Sequence, residues 1–500
     1  MEDQKFIKRK TMIGLLWSTA DFLAKNGTQF LIQIVLTRLL LPENFGIIGM
    51  VLILVSISTS LIDCGFSQAL IRDQNTSQDD YSTIFHFNFF ISIFIYIILF
   101  LSAPSISIFF NSLHLTEIIR VLSLVLIISS LAIIQRVKLT KILDFKTLTK
   151  INIFAVFISG GISISMAFLG FGIWSLVTNM ILIQFIQTLL LWYFVRWIPS
   201  LTFNIISFKK FFKFGYKLLL SGIIDSIYNN LYFLIIGKYY TATQLGYYTN
   251  AVKLNDMAAQ SIFLTVQRVT YPVLSNSQDD DERLKSLFRK MITLTSFVNF
   301  PFMIGAAAIA TPLFQIIFGQ KWLPSVFYFQ LLCIAGMLYP IHALNLNILQ
   351  VKGRSDLFLF LEIIKKVVIT ILISLSLIFG LGIIGLIWTA IISSFISLFI
   401  NTYHSARLMD YSTKNQLKEL APMFFNSILM GAVVLSASSI LPDNYILKLL
   451  CQITIGIFVY IFFCKLFRVR ELIDLYKIIN PLVLKAKNWS LVKIFSRGGY

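Results

Sequence analysis

The stretch GLLWSTADFLAKNGTQFLIQIVLTRLLLPENFG, residues 14–46, decides the fold. It is long and apolar enough to cross a bilayer, which takes about 20 mostly apolar residues. Yet it carries Asp21, Lys25, Asn26, Gln29, Gln33 and Arg38 ahead of the turn Leu41-Pro42-Glu43-Asn44-Phe45-Gly46. Roughly 200 residues later the layout recurs: a basic lead-in at Lys209-Lys210, a polar-dotted apolar helix, then Leu245-Gly246. At that offset Phe45-Gly46 overlays Leu245-Gly246, Arg38 overlays Lys238, Gln29 overlays Asn229, and Lys25 overlays Asp225. A duplicated helix with ionisable groups at bilayer depth points to a transporter-like machine whose working cavity lies between two halves.

Composition agrees. The chain is 57% hydrophobic and 13% charged, with a mean hydropathy of +0.81, which excludes a soluble protein of this length. The first segment is expected to be retained, because its apolar part is long and no small-residue cleavage site follows. Cys64, Cys333, Cys451 and Cys464 form no CxxC pair and sit in apolar surroundings, so they read as packing residues. The net charge of +19 falls in short clusters between apolar runs. That is a membrane-topology pattern, so no nucleic-acid partner is expected.

The reading is therefore an all-α polytopic membrane protein with about fourteen transmembrane helices, the first near 14–41, the second near 46–71 and the last near 445–466. Counted from a cytoplasmic N-terminus, about 35 of the 42 Lys and Arg fall on the inner side, and only Lys321 and Lys448 fall in outer loops. Both termini are expected in the cytoplasm. Gly170-x-Gly172-Ile173-x-x-Leu176 repeats as Gly380-x-Gly382-Ile383-x-x-Leu386. Residues 1–200 and 201–410 then read as two six-helix pseudo-symmetric lobes, with 411–467 an appended hairpin, helices 13 and 14. Residues 468–500 read as a basic cytoplasmic tail lying on anionic membrane lipids.

Catalytic signatures are missing from the sequence. Gly237-Lys238 lacks the rest of a phosphate loop, and His86, His114, His342 and His404 have no zinc-ligand spacing, so neither a metal nor a cofactor is expected. The ionisable residues inside spans carry the information. Lys25 lies ~16 Å into its helix, near the bilayer midplane, and Asp225 reaches a similar depth. Either they line one cavity from opposite sides and bind or gate a charged substrate, or Lys25 pairs with Asp21 and Asp225 caps a polar helix contact. Lys253, with Asp256 three residues on, joins the candidate cavity set. Arg136 and Arg268, near inner helix ends, fit either plain topology or an electropositive entrance for a diphosphate. Arg38 and Lys238 are candidates for an outer rim or gate, with snorkelling anchors as the simpler alternative.

Several stretches together resemble a family. They are Leu41–Gly46, Asp63-Cys64-Gly65-Phe66-Ser67-Gln68-Ala69-Leu70-Ile71, Leu245-Gly246-Tyr247-Tyr248, Tyr271-Pro272-Val273-Leu274-Ser275 and Gly353-Arg354-Ser355-Asp356. In order and spacing they resemble the bacterial polysaccharide flippases of the multidrug/oligosaccharidyl-lipid/polysaccharide exporter superfamily, in the O-antigen, colanic-acid and teichuronic-acid branch. The resemblance covers about residues 5–465. It implies a protein of the bacterial cytoplasmic membrane whose lobes alternate between inward-open and outward-open. The implied cargo is an undecaprenyl-diphosphate-linked oligosaccharide carried to the outer leaflet, in some relatives with an ion gradient. Polysaccharide polymerase and export machinery are the implied partners. The matching positions are turn and packing residues, so they carry structure and not a binding site. The rivals are a drug/cation antiporter of the same superfamily, a lipid II-type flippase, and a membrane-embedded glycan polymerase or ligase. An antiporter calls for acidic cavity residues, and a polymerase calls for a large basic outer loop. Neither feature stands out here.

Overall fold

The computed structural model describes residues 26–112 and 114–473, with the side chains of 260–269, 271, 272 and 355 outside the described set. All regular structure among the described residues is helical. The chain divides into two compact units, one ending at Thr249 and the other beginning at Asn250. Nine spans are long and apolar enough to cross a membrane, and two bent helix pairs raise the total to eleven among the described residues. That number is compatible with the fourteen expected.

The first unit begins with α1 (26–39) and α2 (Pro42–Asp63), then α3 (Phe66–Arg72) and α4 (Gln78–Phe109). There follow α5 (Leu115–Leu122), α6 (Leu124–Ser130), α7 (Ile133–Lys141), α8 (Phe145–Phe168) and α9 (Ile173–Val195). Next come α10 (Ile205–Asn229), α11 (Leu231–Tyr239) and the start of α12 (Ala242–Ser275). The second unit holds α13 (Asp281–Ala308), α14 (Ala310–Ile317), α15 (Pro324–Gly336), α16 (Tyr339–Val351) and α17 (Ser355–Ile378). It closes with α18 (Gly382–Met409), α19 (Thr413–Ala437) and α20 (Tyr445–Leu466).

The 200-residue repeat has a physical expression. Pro42 opens α2 at its first turn, where its missing N–H costs nothing. Gly46 then lies against the start of α12, so close that a Cβ on it would sit 1.8 Å from the Ala242 carbonyl oxygen. Its repeat partner Gly246 returns the contact, a Cβ there falling 1.9 Å from the Pro42 carbonyl oxygen. The two helix starts therefore cross backbone to backbone, and only glycine fits at the crossing. The second repeated turn behaves alike: Gly170, Gly172, Gly380 and Gly382 all take positive φ, from 56° to 84°, where a side chain is strained.

The second expected span, near 46–71, is not one helix. It breaks at Cys64 and Gly65, both left-handed. The break makes room for α10, because a Cβ on Gly215 would lie 2.4 Å from the Cys64 carbonyl oxygen and one on Gly65 would lie 2.7 Å from Leu218 Cβ. Beneath it Phe66, Phe85, Ile134, Trp197 and Phe211 form a buried core.

On the side expected to be cytoplasmic, the strap 196–204 is stitched to the start of α4. Trp197 Nε1 donates to Gln78 Oε1 at 2.6 Å, the Ser200 N–H to Ser82 Oγ at 2.9 Å, and the Asn204 N–H to Thr83 Oγ1 at 3.0 Å. Ser77 and Asp80 cap α4 reciprocally. Asp73 and Lys210 pair at 2.5 Å, so the Asp73 carboxyl is held below the usual carboxylate range by that contact first.

Gly46→Ala or Gly246→Ala should force the crossing helices apart. The expected cost is about 1–3 kcal/mol, as for other overpacked sites, seen as lower membrane yield and melting temperature. Gly222→Ala, whose added Cβ meets nothing closer than 4.0 Å, should leave both unchanged. Equal losses in all three would contradict the crossing.

Candidate functional site: a polar cavity between three membrane helices

In the second unit three amphipathic helix faces converge. On α16 the face reads Tyr339, His342, Leu346 and Gln350, on α17 Phe358, Glu362 and Lys365, and on α18 Ala390, Ser393, Ser394 and Ser397. Spacings of three and four place each set on one side of its helix. Together they line a cavity of about 480 Å³, within the usual range for a ligand site.

Local sequence builds this shape. Pro340 sits in the first turn of α16 and interrupts the hydrogen-bond ladder at Met337-Leu338, between α15 and α16, which together make one span. Asn299 Nδ2 donates to the Met337 carbonyl at 2.7 Å, satisfying a backbone group released by the break. Behind the cavity Ser405 Oγ and the Asn345 side chain hydrogen-bond at 2.5 Å, linking α18 to α16.

Glu362 and Lys365 stand about 10 and 15 Å into α17 from Ser355, at 1.5 Å per residue. In the middle of a helix that crosses a bilayer, a lone charge costs about 2.5–3.5 kcal/mol or more. Here the two neutralise each other as a half-buried ion pair three residues apart. His342 Nε2 lies 3.0 Å from Ser394 Oγ. Its Nδ1 has no partner, and neither has Nδ2 of Asn347, a residue only 4% exposed. His342 and Ser394 do not make a nucleophilic dyad, because no carboxylate orients the ring through Nδ1. Among the described residues no group of three or more His, Cys, Asp or Glu is arranged to hold a metal. The arrangement suits non-covalent binding of a polar molecule.

The residues singled out from sequence fall elsewhere. Lys25 lies outside the described residues, and so does the side chain of Arg268. Asp225 on α10 and Arg136 on α7 are exposed on the first unit, and Lys253 on α12 is exposed on the second. Arg136 Nη2 reaches Gln187 Oε1 at 3.4 Å, and Gln187 Nε2 reaches Asn152 Oδ1 at 3.1 Å, a polar chain joining α7, α9 and α8. Arg38 is exposed at the end of α1. Lys238 is docked: its Nζ donates to the Phe109 carbonyl at 2.6 Å and lies 4.4 Å from the centroid of the Phe109 ring. Sequence reasoning passed over Glu362 and Lys365. The available signal was an oppositely charged i,i+3 pair, with Lys366 next to it, in the middle of a largely apolar 24-residue helix.

The sequence model of the polysaccharide biosynthesis protein family matches residues 35–327. The chain belongs to that family. Among its relatives is teichuronic acid biosynthesis protein TuaB of Bacillus subtilis, 28% identical over 59% of this chain and 62% of TuaB. The chain thus aligns with somewhat less than two thirds of TuaB's length. Lipopolysaccharide biosynthesis protein WzxC of Escherichia coli is 26% identical over 72% of this chain and 73% of its own. The solved structure of the lipid II flippase MurJ in an inward closed conformation superposes with a TM-score of 0.71 at 19% identity, covering 92% of this chain and all of MurJ. That likeness shows the fold.

The contacts of Lys238 with the Phe109 carbonyl and ring predict a stabilising role. Lys238→Met should lower thermal stability by about 1–2 kcal/mol, read as a lower melting temperature of the purified protein. An unchanged melting temperature would contradict that role.

Proposed function

We propose that this chain flips a lipid-linked oligosaccharide from the inner to the outer leaflet of the bacterial cytoplasmic membrane, for surface polysaccharide biosynthesis, and acts as a transporter and not an enzyme. The observation that carries the reading is the pairing of a polysaccharide biosynthesis family match over 35–327 with a flippase-type fold over 92% of the chain. Bilayer physics supplies the rest. A glycan crossing lipid needs a polar cavity among membrane helices, and one exists between α16, α17 and α18. A diphosphate needs Lys or Arg at depth. A polyprenyl tail can stay in lipid throughout. No bond is made or broken, so no nucleophile or metal is called for.

In this reading the lobes 1–200 and 201–410 alternate about the substrate, and 411–467 is an added helix pair. Both termini are cytoplasmic, and the basic tail 468–500 rests on the inner leaflet. Lys25, Asp225, Lys253, Arg136 and Arg268 line the path of the diphosphate, while Arg38 anchors the outer rim. The oligosaccharide is handed to a polymerase and export system on the far side.

Deletion of the gene should strand complete lipid-linked repeat units on the inner face and abolish the surface polymer. Lys25→Ala and Asp225→Ala should each reduce export at least tenfold in complementation at unchanged membrane abundance. Normal surface polymer in the deletion strain, with altered drug resistance, would replace flipping by antiport.

A further inference from the structure

We propose that the cavity between α16, α17 and α18 is the subsite that grips the sugar portion of the cargo, a neutral sugar or a short run of them. This rests on the flippase reading and adds to it a location and a chemistry. The family match ends at residue 327, before the first cavity residue at 339, so membership alone assigns the cavity no ligand.

Charge comes first. Glu362 and Lys365 are spent on each other, so the cavity offers a diphosphate no uncompensated cation. Nor does it offer a metal or proton a carboxylate free of its lysine. A neutral ligand fits that balance. Hydrogen bonding comes second. The Gln350 amide and the hydroxyls of Ser393, Ser394 and Ser397 line the space side by side, with Asn347 and His342 next to them, so donors and acceptors alternate along the wall. Sugar hydroxyls both donate and accept, and a lipid tail does neither. Third, Tyr339 and Phe358 border the same space and supply the apolar ring faces on which a pyranose lays its C–H side.

A cavity built only for packing would be lined with Leu and Val, and this one is lined with serines, amides and a charge pair.

The test uses the full chain in nanodiscs of phosphatidylethanolamine and phosphatidylglycerol. The probe is the oligosaccharide released by mild acid from the lipid-linked pool of the expressing bacterium. Hydrogen exchange at residues 339–366 and binding calorimetry are read against inorganic pyrophosphate and sodium chloride. The expected result is saturable binding of the glycan with slowed exchange on α16 and α17. Asn347→Leu and Ser394→Ala should weaken that binding at least tenfold, with Asn347→Gln partly restoring it. Should Asn347→Leu lower the folded yield, Ala343→Trp, which fills the space, should abolish binding instead. No glycan binding, binding indifferent to these variants, or protection by pyrophosphate or sodium in place of glycan would overturn the subsite. Flipping is scored separately, by transfer of the lipid-linked substrate in vesicles, so transport without glycan binding would remove the subsite and leave the flippase standing.

Discussion

Two glycines set the geometry from which the first unit is built. Lipid gives membrane helices no hydrophobic drive to associate, so close contact must come from shape. At Gly46 and Gly246 the shape is backbone against backbone, with carbonyl oxygens where side chains would otherwise stand. Because the two positions are repeat equivalents, each helix start is at once knob and hole for the other. The turn Leu41-Pro42 before one glycine and Thr241-Ala242 before the other bring the chain in at the required angle. Close approach then recurs at Gly65 and Gly215, where α10 passes the break between α2 and α3.

A different economy governs the second unit. Its buried polar groups are numerous for a membrane domain, among them Asn299, Asn345, Asn347, Asn401, Gln416, Asn426 and Gln452. Some are spent on structure, as Asn299 is on the Met337 carbonyl. Asn347 borders a cavity instead. A half-buried ion pair, three serines, an imidazole and two amides around one space are an expensive choice for a bilayer interior. Expense of that kind is kept where it binds something. The binding role assigned to the cavity and the flipping role assigned to the chain thus draw on the same physics, polar groups maintained where lipid would reject them.

Much of the fold was legible because the bilayer constrains sequence so tightly. Span length, the turn residues and the basic clusters gave the class, and the paired Gly-x-Gly turns gave a repeat whose positive φ values the structure carries at both copies. The glycines at 46 and 246 stood out by register alone, though nothing in sequence says that they touch. The break at Cys64-Gly65 is hidden in sequence because the apolar run resumes beyond it at Ala69-Leu70-Ile71, and the passage of Gly215 explains it. The site was less legible. In sequence the charges on the repeated helix stand out, Lys25 and Asp225 first, because an isolated charge looks costly. Glu362 and Lys365 looked cheap, being mutually paired, yet pairing is what allows them to line a neutral pocket. Convergence of three helix faces needs three dimensions, and periodicity reports only one helix at a time.

The most direct measurement of the central claim is leaflet transfer in a purified system. The chain is reconstituted into vesicles with a lipid-linked oligosaccharide bearing a cleavable terminal sugar, and a membrane-impermeant glycosidase is added outside. If the chain flips its lipid-linked cargo, the pool protected inside protein-free vesicles becomes accessible, and Lys25→Ala slows that exposure. If the protected pool stays protected in vesicles holding folded protein, the flippase account is contradicted.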